Sequence, residues 1–388
     1  ASRGTVPLRQ MAAARRAAGA GPPEPLAGRP ACARLVAQHG NPPMPIVLSH
    51  AIVALVPFGL LAFGAVLGGA WAWAGFLYMT LVAWGADRLL PVRSGPGAGT
   101  RAGADRLTLV LGTVHFLLLG VMVWALAAGG LGLLAWVGLY LGAGHTFGQV
   151  SNATAHDLIH RTDRRRFLLG KWIYISLLFG HHTSAHTKVH HRYAATALDP
   201  STARPGESFY AFAPRAWREG FRKGYQMERA DIVRRGTGGA TPYVSYVLGA
   251  AGFLALAGLA FGWAGLAAYV ALALLAQSQL LLADYVQHYG LARAIGPDGK
   301  PEPVGPGHSW NAGGWFTAQL MLNGSFHSDH HVHPGLAFPD LALPPPATAP
   351  RLPASLPVMS TLALYPRGWR RVMGKALAAQ IRAGEVPV

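Results

Sequence analysis

A single cysteine, Cys32, and only 16 acidic residues occur in a chain of 388. One cysteine has no partner for a disulfide, and it excludes a cysteine zinc site or a rubredoxin-type iron centre built within this chain. Charge is scarce as well: 13% of the residues are Asp, Glu, Lys or Arg, against 51% hydrophobic, and the mean hydropathy is +0.27. That balance excludes an ordinary soluble globular protein. What is present is a series of long uncharged apolar runs, and about 20 apolar residues cross the hydrocarbon core of a bilayer as a helix.

The runs predict an all-α polytopic membrane protein, a bundle of about six transmembrane helices over 46–69, 71–85, 107–127, 131–148, 242–263 and 264–282. They pair into three hairpins with short uncharged links, whereas the segments between hairpins are rich in Arg and Lys. The net charge of +17 therefore reads as membrane topology and contact with lipid, not as nucleic-acid binding, because the basic residues do not gather in one soluble domain. By the positive-inside rule the basic segments and both termini face the cytoplasm, which predicts a multi-pass inner-membrane protein. Residues 1–43 read as a disordered basic tail, upstream of Met44, which opens onto the first run and is the expected true start. Residues 44–340 form the expected membrane-embedded catalytic domain. Residues 341–388 make a Pro-rich segment ending in a basic amphipathic helix on the membrane surface, and a shorter apolar stretch over 167–179 predicts an interfacial or re-entrant helix.

The 17 histidines outnumber the acidic residues, and most fall in tight clusters. His156 and His160 share a helical face at i, i+4 spacing. In the cluster from His186 to His191, the same spacing puts His186 and His190 on one face, with His191 about a quarter-turn away. His327, His330 and His331 form a third cluster, and His288 stands alone near the end of the last run. Nine imidazoles are too many for one ion, so two ions is the economical count, and open nitrogen-only positions suit iron that reacts with oxygen. The predicted topology brings these clusters to one side of the bilayer, as a cytoplasmic histidine-rich di-iron domain. Isolated His39, His50, His115 and His145 read as packed or interfacial residues.

The motifs HDLIH (156–160), HTKVHHRYAATALDPSTARPGESFY (186–210), DYVQHYGL (284–291), HSWN (308–311) and HSDHHVHP (327–334) resemble those of the membrane alkane 1-monooxygenases, within the fatty-acid desaturase and hydroxylase superfamily. The likeness covers roughly 46–373. It implies a non-heme di-iron centre liganded by His156, His160, His186, His190, His191, His288, His327, His330 and His331, which are also the catalytic residues. It further implies O2 as co-substrate and terminal hydroxylation of medium-chain n-alkanes to primary alcohols. Electrons are expected from rubredoxin, or another small electron-transfer protein, with its reductase. Asp157, Asp199, Asp284 and Asp329, with His308 and His333, are candidates for orienting the imidazoles. Three positions depart from the family pattern: Asp157, Ala185 and Gln287 stand where glutamate is usual.

A slot between the spans, with Phe58, Leu61, Phe63 and Trp84 as trial lining, would deliver a bilayer-dissolved substrate. A basic surface of Arg164, Arg165, Arg166, Arg218, Arg222 and Lys223 would dock an acidic redox protein. The alternatives are a methyl hydroxylase of alkyl-aromatics, a fatty acyl hydroxylase or desaturase, and, outside enzymes, a metal transporter. The transporter fits poorly, because transport needs ionisable residues at the bilayer midplane and these histidines fall outside the runs.

Overall fold

The computed structural model describes residues 46–91 and 100–382. The expected tail over 1–43, with Cys32 and His39, lies outside them. Among the described residues the architecture is all-α: helices and turns, three isolated bridges and no strand. Among the described residues three helices are long and apolar enough to cross a membrane, Ile46–Leu67, Arg101–Ala127 and Tyr243–Gln287. Two further apolar runs are continuous but segmented. One passes from a 3-10 turn through a π turn, Tyr78–Val82, to Ala83–Leu89, and the other joins Leu133–Thr146, the π turn Phe147–Ser151 and Asn152–Ile159.

Two glycines make the chain reverse. Gly68 has φ 62° and ψ −153°, and Gly262 has φ 63° and ψ −157°, a conformation that side-chain-bearing residues essentially never adopt. The reversal at Gly262 splits Tyr243–Gln287 into two arms: a Cβ on Gly265 would lie 2.9 Å from the Ala257 carbonyl, although eight residues of straight helix span roughly 12 Å. The break expected near Trp263 is thus a hairpin turn. Elsewhere local chemistry starts the helices. The Thr100 hydroxyl accepts from Gly103 N at 3.1 Å, and Asp163 accepts from Arg166 N at 3.0 Å, each satisfying a free amide of a first turn.

Helix Arg164–Ser176 is the short helix expected over 167–179; its Gly170 lies against Ala155 and Leu158, directly beneath the first histidine pair. Helix Pro366–Arg382 falls where the C-terminal amphipathic helix is expected. Its apolar stripe of Trp369, Met373 and Leu377 is buried, with Trp369 against Tyr285 and Tyr289 and Leu377 against Gly290. The stripe that would have bound lipid covers the aromatic residues around His288 instead.

Candidate metal centre

The nine imidazoles, scattered over 176 residues of sequence from His156 to His331, meet in two groups. The first holds His156, His160, His186, His191 and His330, and the second His190, His288, His327 and His331; within each group one nitrogen per ring lies within 4.8 Å of all the others. The groups abut where the rings of His191 and His331 are 4.7 Å apart.

His156 and His160 come from the last turn of Asn152–Ile159 and its C-cap. The middle cluster sits on a π turn, Ala185–His190, and there the expected pairing is reversed. With i→i+5 closure, His186 and His191 share the first group, while His190 turns to the second. In the third cluster the α-helix His327–Val332 keeps His327 and His331 together at i, i+4 and sends His330 across. His288 caps the C-terminus of Tyr243–Gln287. The HSWN motif frames these pieces: Trp310 N donates to Gln287 O at 2.8 Å, and the Asn311 side-chain oxygen accepts from Ser328 N at 3.0 Å.

Every short contact within the groups is between Nε2 atoms. His156 and His186 approach to 2.8 Å, His191 and His186 to 2.9 Å, His288 and His327 to 2.8 Å, and His190 and His331 to 3.1 Å. Neighbouring ligands of one ion, with metal–nitrogen bonds near 2.1 Å, stand about 3 Å apart. Burial suppresses protonation: it takes His156 down to about 3, with His190 adding repulsion, and holds His186, His327, His330 and His331 well below the ordinary histidine value. Neutral lone pairs facing one another at these distances, with protons excluded, fit a bound cation.

His190 differs. Burial works against its charged form, but the charge and hydrogen bond of Asp199 outweigh it, so its affinity for protons rises. Its Nδ1 donates to Asp199 Oδ2 at 2.9 Å, and Asp199 is itself fixed by Ser201 N and the Thr202 hydroxyl. The other expected orienting residues have different partners. Asp157 is paired with Arg161 at 2.8 Å; Asp329 accepts from His333 and Ala342 N; His308 contacts Glu302; and Asp284 is hydrogen-bonded to Ser201. The Nδ1 atoms of His186, His191 and His331 are buried without a hydrogen-bond partner among the described residues, and Ala185 and Gln287 offer them no carboxylate. The Gln287 amide donates instead to Gly324 O at 3.0 Å.

Of the isolated histidines, His115 is buried between the hydroxyls of Ser151 and Ser176, at 2.9 and 2.8 Å, and His50 packs against Phe338 with the rings tilted at 52°. His182 escaped the sequence reading: it packs 5.2 Å from His186 and lines a small space with His156, His186 and His327. Its signal was the 182–186–190 series at i, i+4.

A second cavity, of about 250 Å3, lies farther along the same helices, walled by Met79, Leu275, Leu282, Met321, Leu356 and Leu364 among others. It shares Ala283 and Met321 with the space beside the histidines. The trial lining falls elsewhere: Phe58 and Leu61 are packed in the core, while Phe63 and Trp84 are exposed. Those residues satisfy the apolar pattern of a span, but none of the four lines the cavity.

The fatty acid desaturase family model matches residues 131–363, which contain all nine imidazoles. Alkane 1-monooxygenase 1 of Pseudomonas aeruginosa is 32% identical over 287 residues, 71% of this chain and 73% of that protein. Alkane 1-monooxygenase 2 of the same organism is 31% identical over 71% of this chain and 74% of its own length. The alkane 1-monooxygenase of Ectopseudomonas oleovorans is 31% identical over 69% and 67%. The chain therefore belongs to the alkane 1-monooxygenases, a branch of the fatty acid desaturase family, and is a membrane oxidoreductase whose histidine clusters fit a non-heme iron centre.

Proposed function

We propose that this protein hydroxylates the terminal methyl of medium-chain n-alkanes to primary alcohols. One atom of O2 enters the product and the other leaves as water, using two protons and two electrons, the electrons from rubredoxin or a similar small redox protein. The observation that carries the reading is the division of nine inward-facing imidazoles into groups of five and four. His156, His160, His186, His191 and His330 would hold one iron, and His190, His288, His327 and His331 the other. An iron pair so held supplies the activation of oxygen. The chain's own part is to keep the other eight imidazoles neutral by burial and to fix the tautomer of His190 through Asp199. It also brings an apolar chain end from the bilayer without passage through water.

The six-span topology and the cytoplasmic, inner-membrane placement of the histidines belong to the same reading, and the charge of the linking segments supports them. Arg164, Arg165, Arg166, Arg218, Arg222 and Lys223 are the proposed docking surface; of these, Arg218 and Arg222 are well exposed beside Glu219. Mössbauer spectroscopy with metal analysis, alongside an oxygen-dependent product assay on an n-alkane, a xylene and a fatty acid, tests the proposal. Two irons per chain and a primary alcohol from the alkane are expected. One iron, or none, would sink the centre, and turnover of only the xylene or the acid would reassign the substrate.

A further inference from the structure

A cavity of about 560 Å3 opens where helix Phe209–Arg235 meets the first arm of the last hairpin, with Tyr225, Arg229, Thr241, Val244, Val247 and Leu248 on its wall. A groove of about 390 Å3 continues along the same arm between Trp172, Phe253 and Leu256, and Leu248 borders both spaces. Val247, Leu248 and Leu256 are 55%, 66% and 62% exposed; in a membrane-spanning arm such a face meets acyl chains, not water. The groove is open at Gly252, where nothing lies within 4 Å of the position a Cβ would take. From Tyr243 to Leu256 the arm rises roughly 20 Å, about the depth of one bilayer leaflet with its headgroup layer.

The two ends of this hollow differ in charge. Beyond Leu248 the wall is apolar, whereas the beginning of the arm carries cations without counter-ions. On helix Phe209–Arg235, Arg215, Arg222 and Arg234 are paired with Glu207, Glu219 and Asp231. The Arg229 side chain makes no ion pair or hydrogen bond among the described residues, yet it lines the cavity beside Thr241. Lys171 lies over the Trp172 ring, and its one hydrogen bond among the described residues goes from Nζ to the Ser245 hydroxyl at a long 3.4 Å. Ser245, in the first turn of the arm, lines the groove. No Asp or Glu lines either space. The nearby acids Glu228 and Asp231 are taken by Lys188, at 2.9 and 2.5 Å.

We propose that this hollow binds one anionic phospholipid, with its phosphate held by Arg229 and Lys171 and an acyl chain laid past Leu248 into the groove at Gly252. Basic pockets beside membrane helices select lipids of net negative charge. A zwitterionic lipid brings its own cation to the two already present, and a bare hydrocarbon leaves both unpaired. The lipid would brace the joint of two helices that support the metal centre. On the inner side of the arm Tyr246 and Ser184 share a hydrogen bond at 2.8 Å, two residues before His186, and the Tyr243 hydroxyl donates to Phe221 O at 2.9 Å. The site is independent of the reaction carried by the histidines.

Native mass spectrometry of the purified full-length protein in detergent, titrated with dioleoylphosphatidylglycerol or dioleoylphosphatidylcholine, tests the proposal. The first phosphatidylglycerol should bind at least fivefold more tightly than phosphatidylcholine. Arg229→Gln with Lys171→Gln should bring that ratio close to one, while the conservative Arg229→Lys keeps most of the preference. Gly252→Phe, which fills the groove without touching the charges, should weaken both lipids several-fold. Arg371→Gln, at an exposed position lining neither space, should change nothing. Unaltered iron content shows that each variant is folded. No preference in the unaltered protein, a preference that survives loss of both cations, or an equal fall in Arg371→Gln would overturn the proposal. Displacement of the lipid by an equal concentration of glycerol 3-phosphate would reduce the site to one for free phosphate. A dimer that takes up neither lipid would assign the face to a second copy of the chain, and either result refutes a lipid site.

Discussion

The Nδ1 of His190 donates to the carboxylate of Asp199 at 2.9 Å, and Asp199 is the one expected orienting aspartate with a hydrogen bond to a clustered imidazole. That bond leaves the lone pair of His190 Nε2 directed at His331 and the second group. Asp199→Asn keeps the shape and removes the charge. Iron affinity should drop about 10- to 100-fold, the usual effect of losing such a partner. Titration with ferrous iron followed by metal analysis measures it, and unchanged affinity would mean that the neighbouring histidines alone fix the ring.

The two groups should also be separable. His160→Ala removes a nitrogen from the five-histidine group and His327→Ala one from the four-histidine group. The second loss leaves three nitrogens, the first four. His327→Ala should therefore reduce iron from two to one per chain, while His160→Ala should retain both with weakened binding. Mössbauer spectra of the two variants decide this, and identical iron losses in both would contradict an uneven division.

Met321 borders the cavity of about 250 Å3, the space beside the histidines and a third small space under His160 and His330. Met321→Trp should obstruct the approach. Product formation should fall by at least tenfold with iron content intact, whereas full turnover at normal iron content would place the substrate path elsewhere.

Gly262 makes the turn of the last hairpin at φ 63°, ψ −157°. Gly262→Ala should destabilise by about 1–3 kcal/mol, because alanine is strained in that region. Gly258→Ala, with open space around the added methyl, is the control. Thermal unfolding in detergent compares them; equal midpoints would mean that the turn relaxes at no cost.

The periodicity of apolar and charged residues was enough to predict a helical membrane protein, because the cost of exposing backbone amides to lipid leaves few alternatives. Breaks near Ala70 and Trp263 were visible for the same reason, and the structure puts the turns themselves at Gly68 and Gly262. The histidines were visible as chemistry too, since nine imidazoles in tight spacings have few uses besides metal. Which ring belongs to which group was not legible, because α-helical spacing pairs His186 with His190. Only the π turn at Ala185–His190, held within the packed fold, sets His186 beside His191.

Side-chain partners were likewise a tertiary outcome. Asp157 lies beside His156 in sequence, yet its carboxylate is taken by Arg161 one turn on, whereas Asp199, nine residues beyond His190, reaches that ring because the intervening loop folds back. The cavity wall joins Gln149, Gln279 and Ser360 from distant segments, so its polarity shows in no single motif. The sequence by itself determined the solvent this chain folds in and the chemistry it carries, because hydropathy and ligand type are properties of residues. The division of the histidines, their orienting partners and the shape of the substrate space depend on distances between helices, and only packing in three dimensions decided those.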